Sequence, residues 1–503
     1  MGLVGLVALV LVACGVADPG VTATRRREGG GGGGSQLFPD DTGGSSQTTV
    51  AGGTTPVTDP DVFDVVPGIV DFGSNKESKA YDGAVTVAFE DLKAYWTETF
   101  PEVYGEPFQP LTNGIYAAYP DRQDPIPGCG KPNSSYGDVY YNAFYCPHDD
   151  FIAYDDDTFI PELVGIGTEA ALIVLAHEYG HLIQTRGGQG NNPVVLKEQQ
   201  ADCYAGAWAA HVASGGSDTL HFTDASIRAG LLGMINLRDP VDGKALDDPQ
   251  AHGTGFDRVG AFQDGFEGGA IRCKTFFDED RISHMIDIPF KGADEDPNLG
   301  NLPLVDPNPD PTNGPADIVT LFPDSLDFFW TALATANGVP FTAPTFKPFN
   351  ADGPYPTCTG VADSSWKRNV IFCPGDNTIY WDQDFALALS QDPVTGDLSV
   401  GYLFSNAYSD AIQTALHSKK TGEPRALYND CLTGAWVGST VPPTDQKSPI
   451  ELSAGDLDEA ISMAIVVSDP TTDTNINGSA FEKVDAFRTG VLGGLNVCRD
   501  LNA

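Results

Sequence analysis

The sequence predicts an α+β fold from three segments. An apolar run from Thr168 to Gly188 is typical of a buried helix whose first turn Thr168 can cap. A second helix-compatible stretch opens at Pro193 and is rich in small residues, which let helices approach closely. Residues 140–155 are aromatic and β-branched, and such runs favour strands, here at the edge of a small sheet.

The first helical segment carries His177-Glu178-Tyr179-Gly180-His181, which is the His-Glu-x-x-His pattern of zinc hydrolases. Positions four apart lie on one face of a helix, so His177 and His181 can bind one ion while Glu178 projects beside it. The alternative is a pair of ordinary core histidines. It is disfavoured, because burying these polar groups without partners is costly.

Glu198, in the second helical segment, is the predicted third ligand. Three protein ligands and an open fourth position define a catalytic zinc site. Asp202 lies one helical turn further along, so it can accept a hydrogen bond from a ligating imidazole. Alternatively, Asp202 is a structural carboxylate with no role at the metal.

These segments resemble the gluzincin arrangement and, in detail, the bacterial putative neutral zinc metallopeptidase family. The second motif of that family reads roughly Glu-Leu-Gln-Ala-Asp-Cys-x-Ala-Gly-x-Trp, and residues 198–208 match it except at Gln199. Residues 144–147 (Phe-Tyr-Cys-Pro) and 252–254 (His-Gly-Thr) match two further family segments, and the resemblance spans roughly residues 84–273. The α+β class follows from this resemblance more than from the patterns, because the resemblance implies a zincin-like domain in which two helices pack beneath a small sheet.

The second half of the chain repeats the first without its metal ligands. Residues 174–185 align with residues 403–414, and residues 202–208 align with residues 430–436. The four site positions change as follows: His177 to Asn406, Glu178 to Ala407, His181 to Asp410 and Glu198 to Ala426. We therefore predict two tandem copies of one domain, with the metal site in the first copy only. Asp202 recurs as Asp430, which favours a role for Asp202 in the fold as well as at the metal.

Eight of the nine cysteines fall into two equivalent sets of four, and Cys14 stands apart. Four cysteines allow three connectivities, and proximity with repeat symmetry favours one of them. The predicted disulfides are Cys129 with Cys146, Cys203 with Cys273, Cys358 with Cys373, and Cys431 with Cys498. Such bridges imply an oxidising compartment.

The amino terminus predicts export. Residues 2–13 form an apolar stretch too short to span a bilayer, and they end in Leu-Val-Ala before Cys14. That ending resembles a bacterial lipobox. The resemblance implies lipidation of Cys14 and a protein tethered outside the cytoplasm to the cell membrane, or a secreted protein if the lipobox is not used.

Composition divides the chain into five parts. They are a signal peptide (1–14), a disordered Gly/Ser/Thr/Pro tether (15–65), the first copy (66–277), an acidic linker (278–316) and the degenerate copy (317–503). Four polar residues near the end of the linker have the spacing of a calcium loop: Asp306, Asn308, Asp310 and Asp317. Pro311 occupies the position where such a loop needs Gly, so a linker is favoured over a calcium site. The net charge of −41 disfavours nucleic acid as a partner.

The predicted function is zinc-dependent hydrolysis of a peptide or protein substrate, with one zinc ion per chain. Zinc on His177, His181 and Glu198 would lower the pKa of its bound water towards about 7, and Glu178 would act as the general base. His252, whose counterpart lies near Asn477, is the candidate donor to the oxyanion; an ordinary loop histidine is the alternative.

Two other functions compete with this prediction. One is a non-catalytic binding or scaffold protein of the cell surface, and the other is a zinc hydrolase of non-peptide amides. The sequence identifies no protein partner for the second copy.

Overall fold

The computed structural model describes residues 63–188, 193–239, 252–277, 279–285, 300–312, 314–392, 394–441, 448–453, 455–469 and 476–498. The predicted signal peptide, the predicted lipidation site Cys14 and all but the end of the predicted tether lie outside the described residues. The chain divides into two compact units, whose described parts run from 63 to 285 (unit 1) and from 300 to 498 (unit 2).

Unit 1 combines helices with short strands. Its elements in chain order are α1 (Asp82–Tyr104), β1 (Ile115–Ala118), β2 (Ile126–Pro127), β3 (Asn133–Ser134), α2 (Tyr136–Val139), β4 (Ala143–Cys146), β5 (Phe151–Asp155), α3 (Phe159–Ile166), α4 (Thr168–Gly187), α5 (Val194–Ala213), α6 (Asp224–Asn236), α7 (Gly255–Phe276) and α8 (Glu279–Ile282). The mixture of helix and strand agrees with the α+β class.

The main sheet of unit 1 has the strand order β1-β5-β4. β1 runs parallel to β5, and β4 runs antiparallel to it. The expectation of edge strands from residues 140–155 therefore holds for β4 but is wrong for β5, which is the central strand. β5 is buried at every position, because β1 pairs with its other side.

Helix α4 is buried from Ala170 to Gln184, as the apolar run predicts. Thr168 does not cap it, because the helix begins at Thr168 and the cap position falls on Gly167. A side chain at Gly167 would lie 2.7 Å from Cβ of Ala229, so the close approach of α6 leaves no room for a capping residue there.

Helices α5 and α7 pack closely through glycines. A Cβ atom on Gly206 would lie 2.0 Å from the carbonyl oxygen of Phe262, and one on Gly265 would lie 1.8 Å from that of Cys203. The Cys203–Cys273 disulfide joins the same two helices, while Cys129–Cys146 ties the loop between β2 and β3 to β4. The glycine contacts and the first of these disulfides hold α5 against α7.

Unit 2 is built from a similar series. Its elements are α9 (Ile318–Ala336), β6 (Thr345–Phe349), a 3-10 turn (Asp363–Ser365), β7 (Val370–Cys373), β8 (Thr378–Asp382), α10 (Gln383–Gln391), α11 (Gly396–Ala415), α12 (Glu423–Gly438), α13 (Asp456–Val466) and α14 (Ala480–Cys498). The sheet order is β6-β8-β7, with one parallel and one antiparallel pair, as in unit 1.

Unit 2 also repeats the close contacts of unit 1. A Cβ on Gly434 would lie 2.0 Å from the carbonyl oxygen of Phe487, and one on Gly490 would lie 2.1 Å from that of Cys431. The disulfides Cys358–Cys373 and Cys431–Cys498 have the predicted pairing. Helices α7 and α14 both break at a glycine of positive φ, Gly269 and Gly494.

Two of the acidic residues with calcium-loop spacing, Asp306 and Asp317, accept hydrogen bonds from backbone N–H groups. Asp306 accepts hydrogen bonds from the backbone N–H groups of Asn308 (2.8 Å) and Ala316 (3.1 Å). Asp317 caps α9 by accepting from Thr320 N at 2.9 Å. These carboxylates thus accept hydrogen bonds from the protein's own backbone.

Over the described residues, no helix combines the length and the apolar character needed to span a membrane.

Candidate metal centre

Helices α4 and α5 bring the three predicted ligands together. The Nε2 atoms of His177 and His181 each lie 3.2 Å from Oε2 of Glu198. One ligand atom of each residue lies within 4.8 Å of the others, and all three side chains are buried. The approach depends on Gly180, where a Cβ atom would lie only 2.9 Å from Cα of Ala201.

The converging atoms fit a metal ion. His177 Nε2, His181 Nε2 and Glu198 Oε2 are buried and make no hydrogen bond, although they lie close together. Buried polar atoms are normally satisfied, so three unsatisfied atoms facing one point indicate a ligand at that point. Two imidazoles and a carboxylate are the donor set of a catalytic zinc site.

Asp202 fixes the far side of the His177 ring. Its Oδ1 lies 2.6 Å from His177 Nδ1, and Arg258 of α7 donates to both carboxylate oxygens at 2.9 Å. Burial raises the pKa of Asp202, but Arg258 and His177 outweigh it and leave that pKa below its usual value. The ionised carboxylate favours a proton on Nδ1, which turns the lone pair of Nε2 towards the centre.

Gln184 has the same relation to His181. Its Oε1 lies 3.0 Å from His181 Nδ1, and its amide nitrogen donates to the carbonyl oxygen of Lys197 at 2.6 Å. Lys197 directly precedes Glu198 in the chain. Gln184 therefore links the orientation of the His181 ring to the backbone that carries Glu198.

Glu178 lies next to the predicted ligands and is fully buried. The backbone N–H of Tyr145, on β4, donates to its Oε2 at 3.1 Å, while Oε1 is buried without a hydrogen-bond partner. The carboxylate is therefore held by one oxygen, and its second oxygen remains available to a proton donor.

His252 joins the cluster from the segment before α7. Its Nε2 lies 3.7 Å from Glu198 Oε2, and its Nδ1 lies 3.3 Å from Oδ1 of Asp239. Asp239 also accepts hydrogen bonds from the backbone N–H groups of His252 and Gly253. Asp239 thus holds both the backbone and the ring of His252 with Nε2 towards the centre.

The departure from the family motif at Gln199 has a local explanation. Gln199 Oε1 accepts a hydrogen bond from Nε of Arg281 at 2.9 Å, and Arg281 is almost fully buried. The leucine of the family motif could not accept this bond. Arg281 also pairs with Asp264 of α7 at 3.2 Å, so Gln199 belongs to a contact between α5, α7 and α8.

The corresponding positions of unit 2 keep the framework of this site. Asn406 Nδ2 donates to Asp430 Oδ1 at 3.0 Å, and Lys483 donates to Asp430 Oδ2 at 2.7 Å, as His177 and Arg258 contact Asp202 in unit 1. Asn477 is held by Asp469 at 3.2 Å, as His252 is held by Asp239. Asp410, at the place of His181, instead pairs with Arg425.

Sequence reasoning missed the groups that hold the predicted site residues. These are Arg258, Asp239, Gln184 and the backbone N–H of Tyr145. One of them left a signal, because a basic residue precedes the aligned segments 259–262 and 484–487 in both halves, as Arg258 and Lys483. Gln184 recurs as Gln413, but recurrence alone did not reveal its contact with His181.

Comparisons with known proteins agree with the donor set. The family described as "Putative neutral zinc metallopeptidase" matches residues 71–276, which include the whole centre. The chain is similar to the uncharacterized protein YpfJ of Escherichia coli, with 28% identity over 222 residues that cover 40% of this chain and 72% of that protein. An uncharacterized protein of Mycobacterium tuberculosis is 29% identical over 175 residues, covering 30% of this chain and 58% of its own length. No solved structure matches the chain.

Proposed function

We propose that the protein is a zinc-dependent peptidase whose active site lies in unit 1. One observation carries the proposal: the unsatisfied atoms His177 Nε2, His181 Nε2 and Glu198 Oε2 converge within the buried core. The match of this region to a zinc metallopeptidase family supports it independently.

His177, His181 and Glu198 would hold one zinc ion. A bound zinc ion supplies Lewis acidity, which lowers the pKa of a water molecule and polarises a carbonyl oxygen. Asp202 and Gln184 orient the two imidazoles, and Arg258 keeps Asp202 ionised.

Glu178 is the proposed general base. Its Oε2 is fixed by the N–H of Tyr145, so Oε1 can take a proton from the attacking water and deliver it to the leaving amine. Positioned acid–base groups of this kind contribute roughly 10²- to 10⁴-fold to a reaction rate.

His252 is the proposed donor to the developing oxyanion. Its Nδ1 is held by Asp239, so a proton on Nε2 would face the reacting centre. Burial lowers the pKa of His252, and the carboxylates of Glu198 and Asp239 raise it. Zinc would offset the charge of Glu198, so Asp239 is the group that favours the protonated ring. A protonated Nε2 is the form that can donate to an oxyanion.

Unit 2 is proposed to be a duplicated copy that no longer catalyses. The matched sheet order, glycine contacts and Asp430–Lys483 pair support a common origin with unit 1. Ala407 in place of Glu178 removes the base, and Ala426 in place of Glu198 removes a ligand. Retention of the fold without this chemistry favours a binding or structural role for unit 2.

The proposed location is outside the cytoplasm. The apolar residues 2–13, the Leu-Val-Ala-Cys sequence at Cys14 and the disulfides support export and a lipid anchor. Secretion without an anchor is the outcome if Cys14 is not modified.

A peptide library assay tests the peptidase proposal. The full chain and its Glu178→Gln variant are incubated with mixed peptides, and new amino termini are counted by mass spectrometry. We expect the variant to retain zinc but to lose cleavage by at least about 100-fold. Cleavage that is equal in both proteins would refute the role of Glu178. A zinc-loaded chain that cleaves amides but no peptides would favour the non-peptide hydrolase.

A further inference from the structure

Unit 2 contains a buried acidic cluster made of residues other than those that align with the metal centre of unit 1. Asp397 lies in the first turn of α11, Asp456 begins α13, and Glu459 lies in the first turn of that same helix. Their exposed fractions are 3%, 5% and 2%, and one oxygen of each lies within 4.8 Å of the others.

The groups around this cluster are neutral donors. The backbone N–H of Leu302 donates a hydrogen bond to Asp397 at 2.7 Å. Glu459 accepts hydrogen bonds from Leu398 N at 2.9 Å and from Asn301 Nδ2 at 2.8 Å. Asp456 accepts hydrogen bonds from Ser453 N at 2.7 Å and from Ser453 Oγ at 2.6 Å. These donors leave Asp397 Oδ1 buried without an N–H or O–H partner, and the carboxyl group of Asp397 lies against that of Glu459.

In the part of the chain that the structure describes, no basic side chain offsets the negative charge of the cluster. Among the described residues, the ion pairs of unit 2 join Arg425 to Asp410 and Lys483 to Asp430, and none includes the three acids of the cluster. Burying charges without a counter-charge is expensive. Accordingly, burial raises the pKa of Asp397 to about 6 and raises the pKa values of Asp456 and Glu459 well above their usual range.

Helix capping accounts for only part of this arrangement. A carboxylate at a helix amino terminus is stabilised by the N–H groups and the helix dipole, and Glu459 accepts from Leu398 N in this way. Capping does not require three carboxyl groups to face one another. Nor does it explain the unsatisfied Asp397 Oδ1, which lies in the same group of converging acids.

We propose that Asp397, Asp456 and Glu459 form a binding site for a hard divalent cation, with calcium as the fitting ion. The side-chain donors are all oxygens, which suits calcium and disfavours zinc. Calcium takes six to eight oxygen ligands, so water or backbone oxygens would complete its shell. The ion would offset the buried charge and tie α11, α13 and the segment at Asn301 together.

The site belongs to unit 2 alone and does not rest on the proposed peptidase function. In the alignment of the two halves, Thr168 stands at the place of Asp397. Ile227 occupies the fourth position of α6, as Glu459 does in α13. Unit 2 has therefore lost one set of metal donors and carries another at a different place.

Calorimetric titration of the full chain with calcium tests the proposal. The test variant is Asp397→Asn with Glu459→Gln, which keeps side-chain shape. The control is Asp324→Asn, which removes one exposed acid from α9 of the same unit. We expect the wild type and the control to bind one calcium ion with equal affinity, and the double variant to bind at least about 100-fold more weakly.

Equal calcium binding by all three proteins, or no binding by the wild type, would overturn the proposal. Magnesium is expected to bind at least about 10-fold more weakly, because it demands a stricter geometry; tighter magnesium binding would overturn the choice of calcium. Anomalous diffraction from terbium-soaked crystals of the wild type gives an answer even if the double variant does not fold. A terbium peak among the three carboxylates supports the site, and its absence overturns it.

Discussion

The Nδ1 atom of His177 lies 2.6 Å from Oδ1 of Asp202, and unit 2 has a matching contact although asparagine and aspartate stand at the places of the two histidines. In unit 2 the corresponding atoms are Asn406 Nδ2 and Asp430 Oδ1, which lie 3.0 Å apart. The carboxylate therefore serves the packing of two helices in both units. In unit 1 it also orients an imidazole, so neither of the two roles expected for Asp202 excludes the other.

Asp202→Asn should weaken zinc binding by about 10- to 100-fold, the usual effect of removing the partner of a ligating histidine. The measurement is competition for zinc with a chelator of known affinity. Asp430→Asn is the matched control, since it makes the same change at the equivalent position of unit 2 and should leave zinc affinity unaltered. Equal zinc affinity in the wild type and both variants would argue that Asp202 has only a packing role.

His252→Ala should lower kcat by about 10²- to 10³-fold while zinc content stays near that of the wild type, because the lost group acts on the oxyanion. Steady-state kinetics on a cleaved peptide, together with metal analysis, measures both quantities. Asn477→Ala in unit 2 removes the equivalent side chain and should change neither. A loss of zinc that accompanies the loss of activity would instead identify His252 as a ligand.

Replacing both Cys203 and Cys273 by alanine should reduce the free energy of unfolding of unit 1 by about 4 kcal/mol on the chain-entropy estimate. The reason is the loop that the bridge closes, whose ends are 70 residues apart. Urea unfolding measures the loss. Removing Cys431 and Cys498, which are 67 residues apart, should destabilise unit 2 by a similar amount but spare zinc affinity. Zinc affinity that falls equally in both double variants would contradict the placement of the centre on α5.

The buried acids of unit 2 predict a pH dependence that calcium should abolish. Their folded pKa values are raised, that of Asp397 to about 6, above unfolded values of roughly 4. The folded state therefore holds more protons, and stability that is full below about pH 4 is lost as the pH rises, through about 6 for Asp397 and at higher pH for the other two acids. In EGTA the unfolding temperature of unit 2 should fall over this window, and calcium should prevent the fall.

The variant with Asp397→Asn and Glu459→Gln provides the control for this pH effect. Without two of the three carboxyl groups, its unfolding temperature in EGTA should change less with pH than that of the wild type. A wild-type unfolding temperature that rises across the window, by more than the variant's does, would show that these acids are already ionised and compensated in the folded protein.

The convergence of the three candidate ligands could be predicted because it depends largely on local geometry. His177 and His181 share one helix face at a spacing that any α-helix imposes. Glu198 is predicted from its place in the second motif, and its loss together with both histidines in the second half adds support. Helix α4 itself followed from an unbroken apolar run. The helix spacing and the apolar run can each be recognised within one segment of the sequence, and the loss of Glu198 can be recognised by comparing two aligned segments.

The partners of the site residues depend on tertiary structure and gave weaker signals. Arg258 reaches Asp202 across 56 residues of sequence, and Asp239 holds His252 from the other side of a chain segment that the structure does not describe. Likewise β5 was expected at a sheet edge, because nothing in residues 140–155 reveals that β1 pairs with its other side. The acidic cluster of unit 2 was missed because its members come from two helices that meet only in the folded chain.

Metal analysis determines whether the cluster on α4 and α5 holds zinc. The full chain is purified without chelators beside the variant His177→Ala with His181→Ala, and zinc is measured per chain while circular dichroism reports the fold. We expect about one zinc ion per wild-type chain and almost none in the folded variant. A wild-type chain that folds fully but neither contains zinc nor takes it up would contradict the account and favour a non-catalytic binding protein.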